Sequence, residues 1–173
     1  FLHVSTLNDS IKNVSGIIKA FKNVKDKNCK LKIIGDGETD WIFEMAKKYQ
    51  LEDRVLIEGK KTHEEIAYEM QMANVFILFS NIETFSLVII EALSCGIPII
   101  STNVGVVKEI YNKSMGELVE TNNVNDLTSA MKHLIDNYES YNPKTLRECV
   151  ASNFSYENVS VQFNKLYNEM IKN

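Results

Sequence analysis

At 173 residues, with 45% apolar and 24% charged residues, the chain has the length and balance of one globular domain and not of a disordered segment. A formal net charge of -4 and a pI near 5.5 point away from a nucleic-acid-binding surface, so an anionic ligand has to be held by a local site. Cys29, Cys95 and Cys149 are odd in number and widely spaced, with no CxxC or Cys/His cluster, which argues against a disulfide framework or zinc site and for reduced cytosolic thiols. No apolar run approaches the ~20 residues that cross a bilayer, and no signal peptide precedes the first strand-like run. The sequence enters that run at Phe1, and we expect it to be an excerpt of a longer protein.

Leu2–Ser5 reads as the first strand and is followed by a helical pattern over 10–25. Strand Leu31–Gly35 precedes a helix over 38–50, and Arg54–Glu58 precedes one over 63–73. Val75–Phe79 leads into a helix over 87–95, and Pro98–Ser101 into a short helix over 106–111. Glu117–Val119 closes the strand set before a helix over 124–138. Leu31–Ile34, Val75–Phe79 and Ile97–Ile100 are mostly apolar, as strands covered on both faces should be. Strands alternating with helices predict an α/β fold, a doubly wound parallel sheet of Rossmann-like type. A helical tail over 143–173 follows, as helices over 143–152 and 156–172 separated near Ala151–Ser155, the first opened by Pro143. In the second, Val159, Phe163, Leu166, Tyr167 and Met170 recur at helical spacing and are expected to form a buried stripe.

Ligands of such sheets bind outside the carboxyl ends of the strands, near the point where strand order reverses. The loops to search are therefore Ser5–Lys12, Gly35–Glu38, Gly59–His63, Ser80–Ser86 and Thr102–Val106. Ser80–Pro98 is the most informative stretch. A polar loop ends at Ser86, a reasonable N-cap; an unusually apolar helix starts near Leu87, Gly96 stops it and Pro98 opens the next strand. Amides of Phe85 to Val88 at the helix start would suit an anion. Glu91 is the odd residue in that helix. A carboxylate facing the crevice there needs hydrogen-bond donors, which the paired hydroxyls of a ribose could supply. The alternative is a partly solvated glutamate, or one paired with a lysine.

The Glu83-to-Glu91 spacing, with seven residues between, resembles the E-x7-E motif of the retaining family 4, or group 1, glycosyltransferases. Ser80, Glu83, Phe85, Glu91–Ala92–Leu93, Gly96 and Pro98 agree with the pattern around that motif. Leu31–Gly37 resembles the family's strand and GDG turn, and Val55–Gly59 its strand before the base-binding loop. Val104–Gly105, Glu109 and Gly116–Val119 continue the likeness over nearly the whole chain. The resemblance implies a GT-B enzyme of two Rossmann-like domains facing a cleft. Residues 1–173 would be its C-terminal, donor-binding domain, and the N-terminal acceptor domain would lie outside this chain. It implies that Glu91 holds the ribose hydroxyls and that Glu83, the catalytic candidate, lies near the transferred sugar. Amides of Thr84, Phe85, Ser86, Leu87 and Val88 would meet the sugar and diphosphate. It further implies that no metal or other cofactor is needed.

Lys12 resembles the family lysine that binds the donor phosphates, a point charge suited to that task. Thr6 stands where the family commonly has an arginine, which removes part of the usual diphosphate clamp. Gly35 and Gly37 flank Asp36 in a tight turn that lets backbone approach a ligand, or serves only as a strand-to-helix turn. Lys60 and Lys61 follow the third strand, where family members commonly meet the base; a solvated basic loop is the other reading. Phe85–Ser86 replaces a frequent Phe–Gly and Gly105–Val106 a frequent Gly–Gly, so a narrower donor pocket is expected. His3, His63 and His133 are isolated and are given no catalytic role, and no Ser/His/Asp arrangement is visible.

The expected function is the donor-binding half of a retaining glycosyltransferase, inactive alone. It would take a sugar from a nucleotide diphosphate sugar to the hydroxyl of an acceptor glycan or lipid, with membrane contact only through the other domain. A GT-B sugar-nucleotide epimerase or phosphorylase, and a non-catalytic nucleotide-binding regulatory domain, are the alternatives.

Overall fold

The computed structural model describes residues 1–171, so the end of the expected 156–172 helix and Asn173 lie outside it. Six parallel strands form one sheet: β1 (Leu2–Ser5), β2 (Leu31–Gly35), β3 (Val55–Glu58), β4 (Phe76–Leu78), β5 (Ile99–Thr102) and β6 (Gly116–Val119), in the order β3-β2-β1-β4-β5-β6. The helices are α1 (Asp9–Lys12), α2 (Val14–Phe21), α3 (Asp40–Lys48), α4 (His63–Met72), α5 (Leu87–Cys95), α6 (Val107–Ile110), α7 (Val124–Asn137), α8 (Pro143–Phe154) and α9 (Tyr156–Ile171).

Successive side chains of a strand point to opposite faces, so apolar runs feed two cores. Leu31, Ile33, Ile77, Phe79 and Ile100 pack on one face with α2 and α7, through Ile17, Phe21, Leu127 and Met131. Ile34, Phe76, Leu78 and Ile99 pack on the other with α5 and α8, through Ile89, Leu93, Leu146 and Val150. Covering both faces is what makes a parallel sheet of such apolar strands stable in water.

Strand order reverses between β1 and β4, and pairing is weakest there. β1 pairs β2 at four positions, Leu2 through Ser5, whereas β1 meets β4 only at Leu2 opposite Phe76. Beyond that pair the two strands share no ladder, and it is at such a reversal, outside the carboxyl ends, that doubly wound sheets have their crevice. Gly35 ends β2 beside it. A Cβ there would collide with the Ser5 carbonyl oxygen and lie 2.7 Å from Leu7, so close approach to β1 accounts for this glycine without a ligand.

Two expectations are corrected. The helix over 10–25 is two helices, because Asn13 adopts a left-handed conformation (φ 50°); its N–H donates to Asp9 O, and Asp9 Oδ1 accepts from Ser15 N–H. The Asn13 turn ends α1 at Lys12. The apolar stripe of α9 is not buried: Phe163, Leu166, Tyr167 and Met170 are all more than half exposed, and none joins either core. Among the described residues α9 packs mainly against α8, and the stripe stays open to solvent.

A Gly35→Ala substitution is expected to destabilise the fold by about 2–3 kcal/mol through overpacking against β1, measured by urea denaturation. A change below about 0.5 kcal/mol would show that β1 yields easily at this point.

Candidate functional site

The β1–α1 and β4–α5 loops face each other across the crevice. Lys12 Nζ donates to Glu83 Oε1 at 2.6 Å, and the hydroxyl of buried Ser80 donates to the same oxygen at 2.6 Å. The Lys12 and Glu83 side chains are only 18% and 8% exposed, so the pair is largely out of water, where removing either partner is costly. Glu83 Oε2 has no hydrogen-bond partner among the described residues. Asn81 fastens the two loops together: its N–H donates to Ile11 O at 2.7 Å and its Nδ2 to Ser10 O at 2.9 Å. Asn81 Oδ1 is buried without a partner.

Behind Glu83 the chain turns into α5. The N–H groups of Thr84, Phe85, Ser86, Leu87 and Val88 have no carbonyl partner among the described residues and surround a helix start where anions are favoured. Ser86 does not cap as expected. It occupies the N-cap position with φ 74° and ψ 59°, and its hydroxyl is buried against Gly105 without a hydrogen bond. A left-handed serine is strained, which explains why glycine suits this position. Gly105 (φ 56°) is needed in turn, since a Cβ would lie 2.7 Å from both Phe85 O and Ser86 Oγ. Val106 N–H locks the loops by donating to Phe85 O at 2.7 Å. Ser86 and Val106 are both buried, so their side chains are taken up between the loops. Phe85 meets Phe154 of α8 edge to face at 5.9 Å, which ties the loop to the helical tail.

Glu91 lies half-buried on α5 and makes no side-chain hydrogen bond or ion pair among the described residues. Its carboxylate is therefore uncommitted. Gly37 (φ 140°) brings the β2–α3 turn to Thr6, whose carbonyl would lie 3.0 Å from an added Cβ. Lys60 is exposed and pairs with Asp36 at 3.1 Å. Lys61 turns toward β3 and α4, where Glu58 at 2.5 Å and Glu69 at 2.6 Å hold it, and Lys32 bridges the same two carboxylates. The hydrogen bonds that the Lys61 ammonium donates, to Glu58 first and then Glu69, hold it well above its ordinary pKa. Lys12 and Glu83 are thus brought together, Thr84–Val88 line the same crevice, and Lys61 is committed to a structural network.

His3, Ser80 and Thr102 lie beneath the crevice, and only Ser80 stood out in the sequence. Thr102 Oγ1 donates to Ser80 O at 2.7 Å and fixes the strand end that delivers Glu83. A polar residue at a buried strand position was the available signal. Burial lowers the His3 pKa to about 4; the bond to Ile77 O and the Glu83 carboxylate oppose that shift, while the Lys12 ammonium adds to it. A concavity of about 410 Å³ lies at the opposite, amino end of the strands, lined by Phe1, Cys29, Leu134 and Tyr138 among others. It contains none of the crevice residues. Among the described residues no group of three His, Cys, Asp or Glu is placed to hold a metal, and no helix is long and apolar enough to cross a membrane.

Two stability measurements check this geometry. Ser86→Gly should stabilise the chain by about 1–2 kcal/mol, by relieving the left-handed strain and removing an unsatisfied hydroxyl; a loss of stability would contradict the strain. Because His3 is less basic folded than unfolded, its contribution is fully present above about pH 6.5 and is lost as pH falls through about 4. That contribution is about 3 kcal/mol, so His3→Asn should flatten the stability profile between pH 6.5 and 4 relative to the unaltered chain. Parallel profiles would contradict the burial of a neutral ring.

The sequence pattern of the family described as "Glycosyl transferases group 1" matches residues 1–147, which carry the whole sheet and every loop of the crevice. The chain is similar to the N-acetyl-alpha-D-glucosaminyl L-malate synthase of Bacillus anthracis, 31% identical over 176 residues that cover 99% of this chain and 45% of that protein. It is similar in structure to sucrose-phosphate synthase from Thermosynechococcus elongatus, with a TM-score of 0.86 and 26% identity over 99% of this chain and 45% of that one. Anabaena HepE, solved in complex with UDP, shares the fold at a TM-score of 0.84 and 17% identity, over 97% of this chain and 48% of its own. The chain spans about half the length of these proteins. On the family pattern that matches its crevice loops and sheet alike, it belongs to the group 1 glycosyl transferases.

Proposed function

We propose that this chain is the donor-binding half of a retaining glycosyltransferase of the GT-B type, moving a sugar from a nucleotide diphosphate sugar to an acceptor hydroxyl. The observation that carries the reading is the Lys12–Glu83 pair at the strand-order reversal, beside the unpartnered amides at the start of α5. A diphosphate needs positive charge and N–H donors, and this crevice offers both within one loop pair. The UDP carried by HepE supports a nucleotide as the ligand class.

In this reading the uncommitted carboxylate of Glu91 takes the ribose hydroxyls. Glu83 Oε2, the oxygen without a partner, faces the transferred sugar and acts by position and charge, not as a nucleophile. Lys12 and the amides of Thr84 to Val88 stabilise the leaving diphosphate, the charge that develops as the glycosidic bond breaks, without a metal. Retention of configuration rests on the family resemblance. The acceptor groups and the other wall of the cleft belong to the rest of a longer protein on the cytosolic side, so this chain alone should not transfer sugar.

Lys12 is already engaged by Glu83, so a phosphate must compete with that carboxylate for it. Calorimetric titration with UDP, GDP and ADP should find at least one nucleotide bound in the millimolar range or tighter. Lys12→Ala should weaken binding of that nucleotide roughly ten- to a hundredfold, the worth of one charged hydrogen bond. Glu83→Gln should strengthen it, by roughly two- to tenfold, because the competing charge is gone. No binding of any of the three would remove the donor-site reading, and sugar transfer by this chain alone would contradict the two-half account.

A further inference from the structure

We propose that His3 is a positioning residue of the donor site, setting where Lys12 stands through a hydrogen-bonded chain that runs by way of Ser5 and Leu7. The proposal rests on the reading of Lys12 and Glu83 as donor-site residues.

His3 is fully buried in β1, between the two strands that stop pairing. Its Nδ1 lies 2.9 Å from Ile77 O, and its Nε2 lies 2.8 Å from Ser5 Oγ. A carbonyl oxygen only accepts, so Nδ1 carries the proton; the Nε2 of a neutral ring then accepts the Ser5 hydroxyl hydrogen. With that hydrogen committed to the ring, Ser5 Oγ turns a lone pair to Leu7 N–H, 3.1 Å away. Every donor and acceptor in this chain has one assignment.

Leu7 is where the assignment matters. It is held at φ 52°, a left-handed conformation that a leucine does not adopt unless its surroundings impose it. Ser5 Oγ holds its N–H, and Gly35 leaves room for its side chain. The turn at Leu7 carries the chain out of β1 into Asn8, whose side chain caps α1, and α1 ends on Lys12. On the other side, His3 grips Ile77 in β4, the strand that delivers Ser80 and Glu83. One ring therefore touches both arms of the crevice, and an apolar residue at this position would fill the space without fixing either.

Paired substitutions separate the two grips. His3→Asn keeps an amide donor near the Nδ1 position for Ile77 and loses the acceptor for Ser5. His3→Gln keeps an acceptor near the Nε2 position and loses the grip on Ile77. Ser5→Ala removes the hydroxyl and Ser5→Thr retains it. The readouts are amide hydrogen exchange over Leu7–Lys12 and UDP affinity, with the melting temperature of each variant as the control. His3→Asn and Ser5→Ala should speed exchange in that segment and weaken UDP by about tenfold, while His3→Gln and Ser5→Thr stay within about threefold of the unaltered chain. Unchanged exchange in His3→Asn and Ser5→Ala would overturn the proposal. So would losses that track melting temperature alone across all four. If the His3 variants fail to fold, the Ser5 pair decides by the same criteria. Exchange that responds as expected in a chain that binds no UDP upholds the His3 linkage and removes the donor-site reading instead.

Discussion

The ladder between β1 and β4 is one residue pair long, and the crevice depends on that constraint. Parallel sheets of this kind place ligands where strand order reverses, because the connecting helices lie on opposite faces there and leave the strand ends uncovered. At this reversal the Ile77 carbonyl is engaged by the His3 ring. The loops that leave the two strand ends, one ending on Lys12 and the other on Glu83, meet again through Asn81, bonded to Ser10 O and Ile11 O, and through the 2.6 Å ion pair.

A lysine and a carboxylate with so little exposure pay a desolvation cost that mutual attraction and the Ser80 hydroxyl have to offset. The same low exposure makes the pair responsive to a third charge, since screening by water is weak. Strain is concentrated near these groups. Of the five non-glycine residues with positive φ among the described residues, Leu7, Asn13, Ser86 and Asn122 lie in loops at the carboxyl edge of the sheet and Gln50 does not; Asn13 Nδ2 donates to Asn122 Oδ1 at 3.1 Å. By contrast, the Lys32–Glu58–Lys61–Glu69 network joins β2, β3 and α4 and closes on itself. It holds Lys61 toward β3 and α4.

The sheet and most helices could be read in the sequence because their signal is local. Apolar runs such as Val75–Phe79, and the stop at Gly96 with φ 83°, depend on neighbours a few residues away. The α5 boundaries, Leu87–Cys95, coincide with the expected ones for that reason. Asn13 escaped notice because asparagine enters left-handed turns without announcing them, so one periodic run became two helices. The α9 stripe misled because helical periodicity marks a face that is apolar, not a face that is covered. The residues of the candidate site could be picked out as residue types on the loops after the strands. That Lys12 and Glu83 touch, 71 positions apart, and that Lys61 is taken by Glu69, required tertiary structure. His3 looked bland for a similar reason, because its bond to Ile77 depends on how β1 sits beside β4.

The central claim is that the nucleotide enters the crevice between β1 and β4 and not the 410 Å³ concavity at the other end of the strands. Mapping amide shifts by nuclear magnetic resonance as UDP is added decides between the two most directly. The account predicts that shifts concentrate in Thr6–Lys12 and Glu83–Glu91. A footprint centred on Phe1, Cys29, Leu134 and Tyr138, with those two loops unmoved, would contradict it.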